Sequence, residues 1–190
     1  MLHLYFNDAK FWQILLQIDE ELASTVQSRG CPHCGGQLHC ADYPRKPRGI
    51  ARALLGEGYQ RRRSFCCACE DCRRRTTPQS VRFLGRRVYL GALVVLVSAL
   101  ARGVSGKRQG VLCATFGVSV RTLRRWRRWW CEQFPATPWW RAGRGQFVTP
   151  PTPAALPGAL LAHFGDAEAP ETLVKVLRWL SPVSIAVQAH

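Results

Sequence analysis

Two cysteine clusters constrain this chain more than any other feature. The first is Cys31-Pro-His-Cys34-Gly-Gly, and the second is Phe65-Cys-Cys-Ala-Cys-Glu-Asp-Cys72. Two thiolates two residues apart can grip one ion, and the glycines let backbone amides turn toward the sulfurs. Two such halves complete a tetrahedral four-sulfur site, so a module held by structural Zn2+ is expected over residues 31–80. Cys31 and Cys34 are read as ligands, and Cys72 as the last, because the basic run and Thr76-Thr77 follow it. The remaining ligand is Cys67 or Cys69, with Cys66 third. His33, His39 and Cys40 sit near enough to compete. A catalytic zinc ion needs an open position and a general base; four available sulfurs favour a closed site. A redox dithiol is disfavoured because the thioredoxin-like context is missing.

The second constraint is charge. The chain carries 27 Lys+Arg against 12 Asp+Glu, a formal +15. From Arg45 to Arg128 there are 21 Lys+Arg and three acids, Glu57, Glu70 and Asp71. A block this one-sided repels itself without a polyanionic partner. Most of these cations are Arg, which forms bidentate contacts to phosphate and guanine. Nucleic acid is the first expectation and an anionic membrane surface the second. The best membrane candidate, Val88–Leu100, is too short for the roughly 20 residues a span requires, and it reads better as a buried helix. Met1–Phe6 has no secretory pattern. A reducing cytoplasm is therefore expected, where nine cysteines favour metal over disulfides.

Periodicity divides the chain into five parts. Residues 1–30 hold an amphipathic helix, Asp8–Gln27, with Phe11, Leu15, Ile18, Leu22 and Val26 on one face, Asn7 as cap and Gly30 as stop. It is expected to pack on the cysteine module or on a partner. Within residues 31–80, Tyr43–Gly58 is loop-like and Tyr59–Cys67 reads as a strand. Residues 81–134 carry an apolar helix, Arg82–Arg102, then Lys107–Phe116 and Ser119–Gln133. Residues 135–157 carry six prolines and read as a linker without regular structure. Residues 158–190 form a tail; Pro157–Gly165 and Pro170–Leu180 read as short helices, with Leu173, Val176, Leu177 and Leu180 on one side of the second.

Val111–Trp126 is the most informative stretch. Leu112 and Phe116 share a face, Cys113 is small where two helices must approach, and Gly117 can take the positive φ of a sharp turn. Val118 plugs that turn, Ser119 can cap the second helix, and Leu123 and Trp126 point to the core. This is a helix-turn-helix pattern, with Val88–Leu100 as the buried first helix of a three-helix unit. The outward residues of the second helix are Val120, Arg121, Arg124, Arg125 and Arg128; Ser119 and Thr122 on it, the latter touching phosphate or only satisfying the helix, and Lys107 and Arg108 on the preceding helix complete the DNA-binding candidates. Arg121 and Arg124 are expected near base edges, and Arg125 and Arg128 on phosphates. Trp126, Trp129 and Trp130 read as core residues. The fold class expected is mainly α with a small β zinc ribbon.

The order of these parts resembles bacterial transposase-associated proteins. The resemblance rests on the Cys31-to-Gly36 knuckle, the arginine-flanked cysteine cluster and Gly117-Val-Ser-Val-Arg-Thr-Leu-Arg-Arg-Trp126. The run Cys72–Tyr89 is also similar to small proteins encoded beside transposases in insertion sequences. The resemblance covers about Cys31–Trp130 and implies recognition of element ends or control of the element's expression. It implies duplex DNA as partner, with a transposase encoded nearby as a second, and a bacterial, nucleoid-associated setting. A homodimer is a further candidate, since helix-turn-helix proteins often bind as dimers. Transposases of this kind carry a later acidic catalytic domain. Here only Asp166, Glu168 and Glu171 follow Glu132, too close together for a dispersed metal site. A non-enzymatic accessory or regulatory protein is expected. One alternative is an RNA or single-strand binder. Another is a scaffold that recruits a transposase through Asp8–Gln27 and Pro170–Leu180. A zinc nuclease is disfavoured, because His3, His33, His39, His163 and His190 show no ligand spacing.

Overall fold

The computed structural model describes residues 5–85, 87–166 and 169–185. His3, Glu168 and His190, considered above, lie outside them, as does Arg86. The described residues are mainly helical, with eight α-helices and two small antiparallel sheets.

Helix α1 spans Ala9–Arg29. Its cap is Asp8 rather than the expected Asn7: the Asp8 carboxylate accepts from the Lys10 N–H at 2.9 Å. Gly30, at φ 77°, ends it as expected. Phe11, Trp12, Leu15 and Ile18 enter the main core, while Ala23 and Val26 pack on the cysteine module. Trp12 donates to the Phe6 carbonyl and Tyr59 to the Trp12 carbonyl, so the aromatic polar atoms here are satisfied.

The cysteine module contains β1 (Leu38–Cys40), β2 (Tyr43–Pro44), the single-turn helix α2 (Arg52–Leu55), β3 (Arg61–Arg62), β4 (Phe65–Cys67) and β5 (Arg75–Thr76). One sheet has the order β1-β4-β5 and the other pairs β2 with β3. The single strand expected over Tyr59–Cys67 is two strands in different sheets. The break at Arg63–Ser64 arises because Asp42 takes both the Ser64 N–H and the Arg63 guanidinium.

The apolar helix is shorter than expected: α3 is Gly91–Leu100 rather than Arg82–Arg102. Before it, Phe83 pairs with Leu90, and Gly85 turns at φ 64°. Arg82 is drawn away into a buried ion pair with Asp19 at 2.7 Å, both side chains 1% exposed. Asp19 also accepts from the Ser80 hydroxyl and the Val81 N–H, and Arg82 donates to the Gly58 and Arg61 carbonyls. The pair thereby ties α1, the cysteine module and the approach to α3.

Helices α4 (Gly106–Thr115) and α5 (Val120–Arg128) follow, and α5 runs on through a π-helical segment, Trp129–Gln133. The 135–157 stretch is not the expected linker. It holds α6 (Pro138–Gly143), started by Thr137 as cap with Pro138 at the first helical position, where a missing N–H is no loss. Trp140, Phe147 and Leu156 from this stretch are buried in the main core. Prolines there mark helix starts and turns, and the aromatic residues between them supply the apolar surface that folds it. Helices α7 (Gly158–Phe164) and α8 (Pro170–Leu180) follow, with Leu173, Val176, Leu177 and Leu180 buried as expected. One hydrophobic core thus runs from Phe6 to Val183, and a small satellite core lies beneath the cysteines.

Arg82→Ala leaves Asp19 buried without its cation, which costs about 3–5 kcal/mol. Urea denaturation of the variant checks this; a loss below about 1 kcal/mol contradicts the role given to the pair.

Candidate metal centre and basic helix face

The sulfurs of Cys31, Cys34, Cys67 and Cys72 all lie within 4.8 Å of one another. Cys31 and Cys72 are 3.7 Å apart and Cys34 and Cys67 3.4 Å. Metal–sulfur bonds of about 2.3 Å in a tetrahedron place sulfurs about 3.8 Å apart, so the four match a tetrahedral metal site such as zinc occupies. Two tight turns present them. In the first, the Gly35 N–H bonds back to the Cys31 carbonyl at 2.8 Å with Gly35 at φ 73°. In the second, the Arg73 N–H bonds back to the Cys69 carbonyl at 3.0 Å with Arg73 at φ 46°. A positive φ at Arg73 is unusual for a side chain of that size, and here the turn ends at Cys72.

The structure separates the candidate ligands. Cys67 projects from β4 into the cluster, whereas Cys69 is exposed and outside the four. Cys69 still lies close, against Gly36: a Cβ on Gly36 would stand 2.4 Å from the Cys69 sulfur and 3.3 Å from those of Cys34 and Cys67. Gly36 is therefore required for space, in addition to the turning role read for the glycine pair. Cys66 points elsewhere, its sulfur 3.4 Å from the Arg73 carbonyl. His33 is occupied by Arg74 at 3.1 Å, and His39 and Cys40 are exposed on β1. The Gly36 N–H beside Cys34 brings its thiol down to about 7. Burial pushes the Cys67 thiol up. Thiols of this kind must shed protons to bind a cation.

The second feature is α5. Gly117, at φ 58°, makes the turn from α4, and the Ser119 hydroxyl accepts from the Thr122 N–H at 3.1 Å. Phe116, Val118, Leu123 and Trp126 are buried and Cys113 sits at the approach of the two helices. Trp129 and Trp130 are buried as well, so all three tryptophans are core residues, as expected. Val120, Arg121, Arg124, Arg125 and Arg128 are exposed, with Ser119 at the cap and Thr122 half-buried, its hydroxyl bonded to that of Ser119. Lys107 and Arg108 lie exposed on the first turn of α4. Arg128 is paired with Glu132 at 2.8 Å, an exposed i,i+4 contact of small energetic worth.

Three arginines outside the expected set belong to this surface. Arg127 is exposed on α5 beside Arg124. Arg102 lies near them at the end of α3. Arg87 stacks on the Trp129 ring at 4.1 Å and lines a groove with Arg125, Tyr89 and Gln133. Burial, followed by the Arg125 charge, brings Arg87 down to about 10. Two guanidiniums therefore share one groove that no carboxylate lines. The basic block is not uniformly outward, however. Arg62 and Arg82 are buried, and Arg63 is held by Glu20 and Asp42.

No helix among the described residues is long and apolar enough to cross a membrane. No protein-family model, curated protein or solved structure matches the chain.

If the cluster binds metal as its geometry indicates, Cys67→Ser abolishes binding of one cobalt or zinc ion per chain and Cys69→Ser retains it. Thiolate-to-cobalt absorption during titration reads both. Retention by the first and loss by the second would reverse the assignment. Gly36→Ala weakens the metal affinity by crowding three sulfurs.

Proposed function

We propose that this chain is a non-enzymatic, sequence-specific duplex DNA-binding protein whose α4 and α5 form a helix-turn-helix with α5 as the groove-reading helix. The observation that carries the reading is the outer face of α5. Arg121, Arg124 and Arg125 stand exposed on a helix whose inner face is fixed by Leu123 and Trp126 and whose start is capped by Ser119. A helix entering the major groove presents its early residues to bases and its later ones to phosphates. Arg121 and Arg124 take the base edges, while Arg125, Arg128, Lys107, Arg108 and Arg87 take the backbone. Ser119, Val120 and Thr122, at the N-terminal end, flank the base-reading positions.

The four-cysteine module is a structural zinc ribbon in this reading. It stiffens the end of α1 and carries a further exposed basic run, Arg73–Arg75, toward the phosphates. In this reading the chain acts at the nucleoid as an accessory or regulatory factor of a bacterial mobile element, a setting whose support is the resemblance of residues 31–130 to transposase-associated proteins.

Two observations weigh against the alternatives. Single-strand binding relies on exposed aromatic platforms, and Trp126, Trp129 and Trp130 are buried. A scaffold recruiting a transposase through α1 and α8 needs their apolar faces free, and both faces lie in the chain's own core.

Arg121→Ala and Arg124→Ala are each expected to weaken binding to a preferred duplex by about 1–3 kcal/mol and to relax its sequence preference. Arg125→Ala and Arg87→Ala weaken all duplexes alike and lower the salt slope by about one. Electrophoretic or fluorescence titration against duplex and single strands over a salt series checks this. Equal binding to single strands, or indifference to Arg121→Ala and Arg124→Ala, contradicts the reading.

A further inference from the structure

The loop of residues 45–49 follows β2 in the cysteine module but docks on the helical part of the chain. The Arg48 N–H donates to the Val88 carbonyl at 2.9 Å, and Arg48 pairs in parallel with Tyr89. Gly49, at φ 96°, has no room for a side chain: a Cβ would stand 2.4 Å from a Leu93 methyl of α3 and 3.4 Å from the Phe116 carbonyl at the end of α4. Arg45 anchors the other end, donating to the Arg87 carbonyl at 2.5 Å with its guanidinium 4.9 Å from the centre of the Phe83 ring. Tyr89 in turn donates to the Gly117 carbonyl at 3.4 Å and packs edge-on against Trp126 of α5. The loop is thereby fixed beside the turn that leads into α5. Val88 and Tyr89 also line the groove of Arg87 and Arg125, so the loop and α5 flank one strand.

Two cations of this loop remain outward. Lys46 and Arg48 are exposed, and neither has an ion-pair partner among the described residues. The half-buried Pro47 and Gly49 alternate with them, so the loop is a narrow ribbon with both cations on its solvent side. No Asp or Glu occurs between Tyr43 and Gly56 to neutralise them locally. Their place relative to the helices selects a groove. In a three-helix DNA-binding unit, the chain ahead of the first helix can reach the minor groove next to the major-groove site of the recognition helix. Here the segment ahead of α3 is residues 87–90, and the loop pairs with it. The minor groove is about 6 Å wide, which admits Lys and Arg side chains from a narrow ribbon but no helix. A·T tracts narrow that groove and strengthen its negative potential.

We infer that Lys46 and Arg48 form a second DNA-reading element, which enters the minor groove in the flank of the α5 site and prefers A·T pairs there. The inference rests on the duplex-binding reading of α5 and adds to it a second groove, a base preference and a role for the cysteine module. Zinc then serves recognition through this loop: the module held by the four cysteines delivers Lys46 and Arg48 to the helices, and Gly49 wedges them in place.

Fluorescence anisotropy of the full, zinc-loaded chain tests it, on a duplex selected for binding from random sequence. The base pairs flanking the selected site on either side are set to A·T, to G·C or to inosine·C. Inosine lacks the guanine N2 amino group, so inosine·C shows the major-groove face of G·C and the minor-groove face of A·T. The A·T flank is expected to bind about fivefold or more tightly than the G·C flank, with inosine·C close to A·T. Lys46→Gln and Arg48→Gln, both exposed changes that leave the melting temperature unaltered, each bring the flank ratio toward one and leave the sequence preference within the α5 site intact. No flank preference, or inosine·C behaving as G·C, overturns the inference. An equal loss on all flanks in both variants also overturns it and makes the loop a phosphate contact. Flank preference lost with site preference kept strikes this inference alone, whereas the converse strikes the reading of α5 alone. Failure to bind any duplex overturns both.

Discussion

The buried pair of Asp19 and Arg82 is the contact on which the arrangement of the other parts depends. Two opposite charges taken fully out of water are tolerated only when every remaining donor and acceptor is also satisfied. That condition is met by drawing four separate segments to one point. Asp19 comes from α1, Gly58 and Arg61 from the cysteine module, Ser80 and Val81 from the approach to α3, and Ser184 closes on the Ser80 N–H from the far end of the chain. Arg82 also lies over the Tyr59 and Phe83 rings, so its cation is enclosed by aromatic faces. The cysteine module and the helical core are joined through polar chemistry at this junction and through the apolar length of α1 elsewhere.

From that junction the functional surfaces follow. Helix α3, apolar on all sides, is buried from Gly91 to Ser98 and packed by α5, α7 and α8, which accounts for its nearly unbroken hydrophobicity. Helix α5 is held against α3 and α4 by Leu123 and Trp126, and the aromatic cluster of Trp129, Trp130, Phe134 and Trp140 anchors its continuation. A rigid support of this kind keeps arginines at set positions, which favours base reading over diffuse attraction to phosphate. Residues 135–157 close this support through Trp140, Phe147 and Leu156.

What was legible in the sequence was local. The turn at Gly117, the cap at Ser119, the inward Leu123 and Trp126 and the two halves of the cysteine cluster all follow from spacing and the conformational needs of single residues. What was not legible depended on distant partners. Nothing near Asp19 marks it as the mate of Arg82, 63 positions away, and so apolar periodicity alone starts α3 nine residues early. Prolines in 135–157 mark turns, but whether the chain between them folds depends on Trp140, Phe147 and Leu156 finding a core built by other elements. Of Cys66, Cys67 and Cys69, only the pairing of β4 with β1, which sets Cys67 opposite Leu38, brings one into the group of four. The basic block likewise mixed exposed arginines with the buried Arg62 and Arg82, a distinction that charge counting does not make.

The most direct test of groove reading by α5 is methylation interference on a duplex selected for binding from random sequence. Guanine N7 lies in the major groove, where it forms half of the bidentate acceptor that arginine recognises. Methylation at N7 of a few clustered guanines should block binding, while methylation of adenine N3 in the minor groove within the same site should not. Blocking confined to the minor groove, or no interference at any base, would contradict a helix reading the major groove through Arg121 and Arg124.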